Sequence, residues 1–367
     1  MNVSAGIVGL PNVGKSTLFN TLTNLNVEAA NYPFVTILPN VGVVKVPDVR
    51  LDNLVSLIQP KSVVAATCSF TDIAGLVKGA SKGEGLGNQF LANIREVDAI
   101  CHVIRCFSDP NITHVMSDID PIRDCEIIKT ELVLADLDVV TKKLPKIISG
   151  VRANKPEAII EQNTVNKIIK TLNENKFINF NDYDEKEIVF VKQYNLLTAK
   201  PTLYVANINE NDITNPEKNQ NYLSLKKYIG NEAQIIPLAI AIENEISKLP
   251  DEDKKIFLND LGIEKPGVEK FINSAYDLLG IKTFFTFGKD EVKAWSFKNG
   301  MNAQQCAGLI HSDIEKGFIR AEIMSYNDLW QYKNEISVKE HGKLNIVGKD
   351  YIMCDGDVCY FRFNVSK

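Results

Sequence analysis

A phosphate-binding loop near the start of the chain constrains the fold more than any other feature. Residues 9–16 read GLPNVGKS and fit the pattern GxxxxGK[ST], directly after the apolar run of residues 5–9. In this pattern the glycines let backbone N–H groups face phosphate oxygens, the lysine neutralises those oxygens, and the hydroxyl reaches Mg²⁺. The sequence therefore predicts a strand that turns into a helix and binds a nucleoside triphosphate through Asn12, Val13, Gly14, Lys15, Ser16 and Thr17.

Two further segments complete the expected magnesium site. A predicted strand at residues 66–73 runs into the DxxG element from Asp72 to Gly75, where the carboxylate holds Mg²⁺ through water and the glycine N–H senses a γ-phosphate. Thr36 ends the loop NYPFVT and offers a second hydroxyl. Because Mg²⁺ takes few direct protein ligands, we expect Ser16 and Thr36 as ligands, with Asp72 in the outer shell.

Two positions depart from the pattern of guanine-nucleotide switches. Leu76 stands where Ras-like enzymes carry the glutamine that orients the attacking water, so catalysis must come from another residue. Residues 207–210 read NINE where GTPases place NKxD, and each charge-assisted bond lost to guanine is worth about 1.5 to 3 kcal/mol. Asn207 and main-chain groups near Ile208 suit adenine, so the sequence favours ATP; Glu210 keeps GTP open as the alternative.

Composition bounds the class of protein. With 367 residues, 45% hydrophobic and 24% charged, the chain exceeds one typical globular domain. It has no apolar run of about 18 residues and no basic stretch followed by an apolar one at its start, so we expect a cytoplasmic protein without a membrane partner. Its seven cysteines include no CxxC pair and are expected to be reduced, mostly buried thiols rather than zinc ligands.

Charge is uneven along an acidic chain. The net charge is −5, but residues 141–176 hold eight basic side chains against three acidic ones, a local +5. This stretch predicts either contact with a phosphate backbone or a solvated helix face. The basic residues are Lys142, Lys143, Lys146, Arg152, Lys155, Lys167, Lys170 and Lys176.

The order of hydrophobic patterns predicts three regions. Short apolar runs alternate with helical patterns, and predicted strands occupy residues 5–9, 66–73, 99–107, 201–207 and 233–237. Helices are predicted from Asp124 to Gly150, after Pro156, and over residues 185–197, while paired strands and a helix fill residues 284–363. The expected fold is α/β. It comprises a P-loop NTPase (G) domain with a parallel-rich sheet at residues 1–125 and 199–280, a coiled-coil-like helical hairpin insertion at 126–198, and a small α+β domain at 281–367.

These motifs together resemble the YchF or Obg-like ATPase family. The resemblance rests on GLPNVGKST from Gly9, NYPF from Asn31, the run DIAGLVKGASKGEGLGNQF from Asp72, and NINE from Asn207. The C-terminal part resembles the TGS domain of that family, which has a β-grasp fold, through the strings AW, IHSD, KGFI, GKDY and DGD at residues 294–357. The match covers nearly the whole chain.

The resemblance implies more than the residues show by themselves. It implies an ATPase of GTPase ancestry that binds the ribosome through the large subunit, with the helical insertion and TGS domain flanking a groove for RNA. It also implies that His114 replaces the switch glutamine and that Asn12 holds K⁺ in place of an arginine finger. Two alternatives stay open: a GTPase with the same mechanism, and an RNA- or ribosome-binding module in which hydrolysis is incidental.

Overall fold

The computed structural model describes residues 3–25, 40–73, 86–116 and 118–364. By its contacts the chain divides into two compact units. The α/β unit comprises Ser4–Asn24 and Phe70–Gly267, and the C-terminal unit comprises Met1–Val3, Leu25–Ser69 and Val268–Lys367. No helix within the described residues is long and apolar enough to cross a membrane.

Twelve strands and fourteen α-helices are formed by the described residues. The strands are β1 Ser4–Val8, β2 Val41–Lys45, β3 Ser62–Val64, β4 Thr67–Asp72, β5 Ala99–Arg105, β6 Thr202–Asn207, β7 Ile235–Leu238, β8 Ile281–Phe287, β9 Glu291–Lys298, β10 Phe318–Ser325, β11 Asn345–Val347 and β12 Asp357–Phe363. The helices are α1 Lys15–Asn24, α2 Val49–Ile58, α3 Leu86–Glu96, α4 Pro121–Arg152, α5 Pro156–Asn173, α6 Glu185–Gln193, α7 Gln220–Ile229, α8 Ile240–Lys248, α9 Asp251–Asp260, α10 Gly267–Leu278, α11 Ala303–Ile310, α12 Ser312–Lys316, α13 Tyr326–Tyr332 and α14 Glu335–Glu340.

A parallel sheet forms the centre of the α/β unit. Strands β1, β5, β6 and β7 pair in parallel in that order, and the end of β4 lies beside β1. All seven residues of β5 are buried, as expected for a strand covered on both faces. The five strands predicted for this unit are confirmed. Ligands of such sheets bind beyond the carboxyl ends of the strands, and the loops after β1, β4 and β6 carry the predicted motifs.

The helical insertion is longer at its start than the sequence predicts. Asp120 accepts hydrogen bonds from the N–H groups of Ile122 and Arg123, and Pro121 takes the first helical position, so α4 begins before the predicted Asp124. The third predicted helix is too long, because α6 ends at Gln193 and Leu197–Ala199 forms a separate 3₁₀ turn. Apolar side chains of α4, α5 and α6 share one core that includes Val140, Ile147, Val165, Ile168 and Val191.

A mixed sheet dominates the C-terminal unit, in the order β11, β10, β12, β8, β9, β3. Strands β8 and β9 are antiparallel, β12 is parallel to β8, and β10 is antiparallel to β12. Residues of this sheet and of α11 form an apolar core, which includes Phe284, Phe297, Ala303 and Cys306. The last strand of the predicted region, which ends at residue 363, begins only at Asp357. Before it, Cys354 and Asp357 close a turn: the Asp357 N–H donates to the Cys354 carbonyl, and the Cys354 N–H donates to the Asp357 carboxylate.

The two compact units begin and end at other residues than the three predicted domains do. The predicted domain boundaries stay a prediction. Described residues of Leu25–Ser69 group with the C-terminal unit because β3 pairs in parallel with β9. Arg50 of α2 also forms ion pairs with Asp48 and Asp355. The helical insertion groups with the α/β unit because α4 packs against β5 and α7.

Candidate nucleotide-binding site

The phosphate loop has the backbone that its glycines predict. The loop joins β1, which ends at Val8, to α1, which begins at Lys15. Gly9 has φ +155°, and a Cβ on it would lie 2.4 Å from the carbonyl oxygen of Val103. Gly14 has φ +105°, and a Cβ there would lie 2.5 Å from Nδ2 of Asn207. Only glycine fits both positions, because the backbone conformation and the lack of space exclude a side chain.

The side chain of Lys15 is anchored to the backbone of the phosphate loop. The residue is buried, and its Nζ donates a hydrogen bond of 2.7 Å to the carbonyl oxygen of Leu10. Burial lowers the pKa of Lys15 to about 8, and the carboxylate of Asp72 opposes this shift. Lys15 is the first residue of α1, and the N–H groups and dipole at a helix start already favour an anion. The ammonium adds positive charge at the same place.

Asp72 and Ser16 form a small oxygen-rich cluster beside Lys15. Asp72 ends β4, and the Ser16 hydroxyl acts on its carboxylate from nearby. Burial raises the pKa of Asp72, while Lys15 and Ser16 oppose this. Oδ1 of Asp72 is buried and accepts no hydrogen bond from the described residues. An orphaned carboxylate oxygen next to a hydroxyl fits a hard cation such as Mg²⁺, which prefers oxygen ligands.

Three predicted positions lie outside the described residues. They are the ligand Thr36, the γ-phosphate sensor Gly75, and Leu76 in the place of the switch glutamine.

Residues 207–210 take two different roles in the structure. The Asn207 side chain is buried between two backbone groups: Nδ2 donates to the Val13 carbonyl at 2.9 Å, and Oδ1 accepts from the Ile240 N–H at 3.2 Å. It therefore ties the phosphate loop to the start of α8. Ile208 is buried, and its N–H donates to the Leu238 carbonyl. This N–H is therefore occupied, and the adenine contact expected from main-chain groups near Ile208 stays a prediction. Glu210 is exposed.

His114 is buried with both ring nitrogens engaged. Its Nδ1 accepts a hydrogen bond of 3.1 Å from the Met116 N–H, so the ring proton is assigned to Nε2, which lies 2.8 Å from Oδ2 of Asp124. In this arrangement the ring has no free nitrogen to orient a water molecule. The catalytic assignment of His114 stays a prediction, and it requires the ring to leave Asp124.

Sequence reasoning missed two polar residues that organise the same region. Arg105 ends β5 and is 1% exposed, and Asn209 exchanges hydrogen bonds with the backbone of Ser108. An arginine at the end of an otherwise apolar strand, AICHVIR, is a signal that the sequence offered. For Asn209 we find no comparable signal, because its partner is a backbone group about a hundred positions away.

The basic stretch of the helical insertion is partly neutralised. Lys142 pairs with Asp138 and Lys167 pairs with Glu187. By contrast, three exposed cations near the α4–α5 turn form no hydrogen bond or ion pair with any described residue. We call these three the hairpin-tip cations: Lys146, Arg152 and Lys155.

The seven cysteines are free thiols, and all except Cys354 are buried. Burial raises the pKa of Cys68 to about 12, so this thiol is protonated at neutral pH. Within the part of the chain that the structure describes, no group of three or more His, Cys, Asp or Glu side chains is arranged to hold a metal ion.

Comparisons with known proteins agree with this geometry. A family model described as "50S ribosome-binding GTPase" matches residues 4–141, and the model YchF-GTPase_C, described as "Protein of unknown function (DUF933)", matches residues 281–364. The chain is 50% identical to "Ribosome-binding ATPase YchF" of Bacillus subtilis strain 168 and 46% identical to that of Escherichia coli O157:H7, over the full length of both chains in each case.

A solved structure supports the same relationship. The YchF GTPase of Schizosaccharomyces pombe superposes with a TM-score of 0.89 at 40% identity, covering 98% of each chain. Identity at this level over whole chains establishes common descent and a common fold. The chain therefore belongs to the YchF family of P-loop GTPases and ATPases.

Proposed function

We propose that this protein is a ribosome-binding ATPase that hydrolyses ATP slowly to ADP and phosphate. The observation that carries the proposal is the phosphate loop, in which Lys15, the start of α1 and the Ser16–Asp72 cluster converge. This arrangement suits a triphosphate, because the lysine and the helix start both attract phosphate oxygens. The Ser16–Asp72 cluster beside them suits the Mg²⁺ that accompanies a triphosphate. The "Ribosome-binding ATPase" name of the full-length relatives supports both the reaction and the partner.

ATP is the preferred nucleotide in this proposal. In the NINE element, the position that GTPases fill with lysine holds buried Ile208, and Asn207 is occupied by the phosphate loop. Guanine recognition is left to Glu210 alone, which weakens it by the loss of charge-assisted bonds. The S. pombe relative is named a GTPase, as is the family whose model matches residues 4–141, and both names keep GTP as the second candidate.

Competition between the two nucleotides tests this preference directly. Purified protein is loaded with a fluorescent ATP analogue, and unlabelled ATP or GTP is titrated against it in Mg²⁺ buffer. We expect ATP to displace the analogue at a concentration at least about tenfold lower than GTP does. Equal displacement, or stronger displacement by GTP, would replace the ATPase with a GTPase of the same mechanism.

We assign Mg²⁺ as a cofactor of the reaction and K⁺ as an activating ion. Ser16 and Thr36 are the direct oxygen ligands proposed for Mg²⁺, and Asp72 holds the ion from the outer shell through water. Nδ2 of Asn12 donates to the Thr113 carbonyl at 3.1 Å, and its Oδ1 accepts no hydrogen bond from the described residues, which leaves that oxygen for K⁺. Hydrolysis faster in KCl than in NaCl at equal ionic strength supports the K⁺ assignment; equal rates contradict it.

The role of His114 requires a test that separates catalysis from packing, because removing the ring takes the hydrogen bond from Oδ2 of the buried Asp124 and leaves only the contacts of Arg123 with Oδ1. Asp124→Asn keeps the shape of the pair but weakens its hold on the ring. If His114 acts after leaving Asp124, Asp124→Asn retains or raises turnover, and adding His114→Ala to it lowers turnover sharply at unchanged ATP affinity. Equal turnover in the single and double variants removes His114 from catalysis.

In this proposal the protein is cytoplasmic and binds the large subunit of the ribosome. It contacts the RNA of that subunit. The description "50S ribosome-binding GTPase" supports the subunit, and the hairpin-tip cations supply positive charge for a phosphate backbone. In the C-terminal unit, the order β9, β8, β12, β10, with β12 parallel to β8, supports a β-grasp fold of the TGS type. Salt-dependent binding to isolated large subunits, absent with small subunits, is the expected result.

A further inference from the structure

Arg105 places its whole guanidinium inside one loop. The residue is 1% exposed, and its nitrogens donate to three backbone carbonyls: Nε to Phe107 at 3.2 Å, Nη1 to Ile112 at 2.9 Å, and Nη2 to Asp109 at 3.2 Å. The guanidinium also lies over the Phe107 ring, 4.4 Å from its centroid. We call residues 106–113, which follow this arginine, the Arg105 loop.

Burying a cation costs free energy, so a buried arginine is expected to have a specific structural role. Among the described residues no carboxylate hydrogen-bonds the guanidinium, and Asp109 and Asp124 act on it only through longer-range attraction. Burial accordingly lowers the pKa of Arg105. The three carbonyls that face inward need donors, and the rigid fork of an arginine supplies them in a way that the single ammonium of a lysine does not.

Hydrogen bonds connect the Arg105 loop to two motifs of the nucleotide site. At one end, Asn12 of the phosphate loop donates to the Thr113 carbonyl at 3.1 Å. At the other, Asn209 of the NINE element accepts from the Ser108 N–H at 3.2 Å and donates to its carbonyl at 3.3 Å. The shape of this loop therefore determines where Asn12 and Asn209 are held.

We propose that Arg105 is a positioning residue for nucleotide binding. It fixes the Arg105 loop so that Thr113 holds Asn12 and Ser108 holds Asn209 in the arrangement that receives the nucleotide. Arg105 acts through the backbone of the loop, not through contact with the nucleotide. The inference rests on the proposed ATPase function and adds the residue that organises its binding site.

Arg105→Lys tests the proposal, with Arg95→Lys as the matched control. Arg95 also donates to a backbone carbonyl, that of Asn195 at 3.0 Å, and pairs with buried Asp136, but it hydrogen-bonds neither connection of the Arg105 loop. We expect Arg105→Lys to raise the Kd and KM for ATP about tenfold, because two of three buried bonds are lost. The kcat measured in NaCl, where Asn12 holds no K⁺, should stay within about twofold. Arg95→Lys is expected to lower the melting temperature and leave the Kd unchanged.

A second variant covers the case in which Arg105→Lys fails to fold. Asn209→Ala cuts one connection of the loop at a half-buried position and is expected to weaken ATP binding in the same direction. When both single variants fold, their effects on Kd should combine to less than their product, because they act through one loop.

Three results overturn the inference in distinguishable ways. A Kd of folded Arg105→Lys within twofold of wild type removes the positioning role, even if the melting temperature falls. If Arg105→Lys does not fold, an unchanged Kd in Asn209→Ala has the same consequence. A wild-type protein that binds no ATP removes the proposed function itself, and the inference with it.

Discussion

The nucleotide site and the tip of the helical hairpin lie in the same unit but hold their charges in opposite ways. At the nucleotide site Lys15 and Arg105 are buried and bind backbone carbonyls. At the hairpin tip the three cations are exposed and have no partner among the described residues. Buried charges fix geometry at an energetic cost, whereas exposed charges attract partners over a distance that salt screens. The first region therefore suits a small ligand of one shape, and for the second we propose an extended polyanion.

The largest expected effect belongs to the buried side of this comparison. Lys15→Ala removes the ammonium at the start of α1, and we expect ATP affinity to fall by at least about a hundredfold through lost charge-assisted bonds. Isothermal titration of ATP measures it. Lys146→Ala is the control, because it removes an exposed cation and should leave ATP affinity unchanged. Affinity of Lys15→Ala within a few fold of wild type would contradict the site assignment.

The exposed side of the comparison predicts a change in a different measurement. Reversing the hairpin-tip cations by Lys146→Glu, Arg152→Glu and Lys155→Glu should weaken ribosome binding by roughly tenfold to a hundredfold at low salt and flatten its salt dependence. Co-sedimentation with ribosomes over a range of KCl concentrations measures both. ATP affinity should stay within twofold of wild type. Unchanged ribosome binding would identify the stretch as a solvated helix face.

Asn207 tests whether a buried hydrogen bond fixes the phosphate loop. Asn207→Ala leaves the Val13 carbonyl and the Ile240 N–H without partners, and each buried group left unsatisfied costs about 1 to 3 kcal/mol. We expect lower stability in urea unfolding and roughly tenfold weaker ATP binding. Asn215→Ala, at an exposed position, should change neither. Loss of stability with unchanged ATP affinity would show that this contact supports the fold alone.

A smaller effect follows from the pKa of Lys15. The pKa is lowered to about 8 in the free protein, and an anion bound beside the ammonium raises it, so binding takes up a proton above pH 8. ATP affinity should be nearly constant below about pH 7 and fall as the pH rises through 8, by roughly eightfold between pH 7.5 and pH 9. Affinity that does not change over this interval would remove the predicted coupling.

Much of this architecture follows from local sequence patterns, and the remainder depends on distant contacts. The phosphate loop, Asp72 at the end of β4 and the parallel strands were predictable because each has a local signature of glycine spacing or apolar runs. The grouping of residues 40–69 with the C-terminal unit was not, because it depends on the pairing of β3 with β9. The hydrogen bond from the Ile208 N–H to the Leu238 carbonyl was not predictable either, because it depends on the pairing of β6 with β7. The adenine contact by main-chain groups near Ile208 stays a prediction.

Hydrolysis of ATP tests the central claim most directly. Phosphate release from saturating γ-labelled ATP is followed for the wild-type protein and for Lys15→Ala in Mg²⁺ and KCl, with and without purified ribosomes. The account predicts slow, measurable release by the wild-type protein and only background release by Lys15→Ala. Wild-type release that does not exceed the Lys15→Ala background, with or without ribosomes, would contradict it.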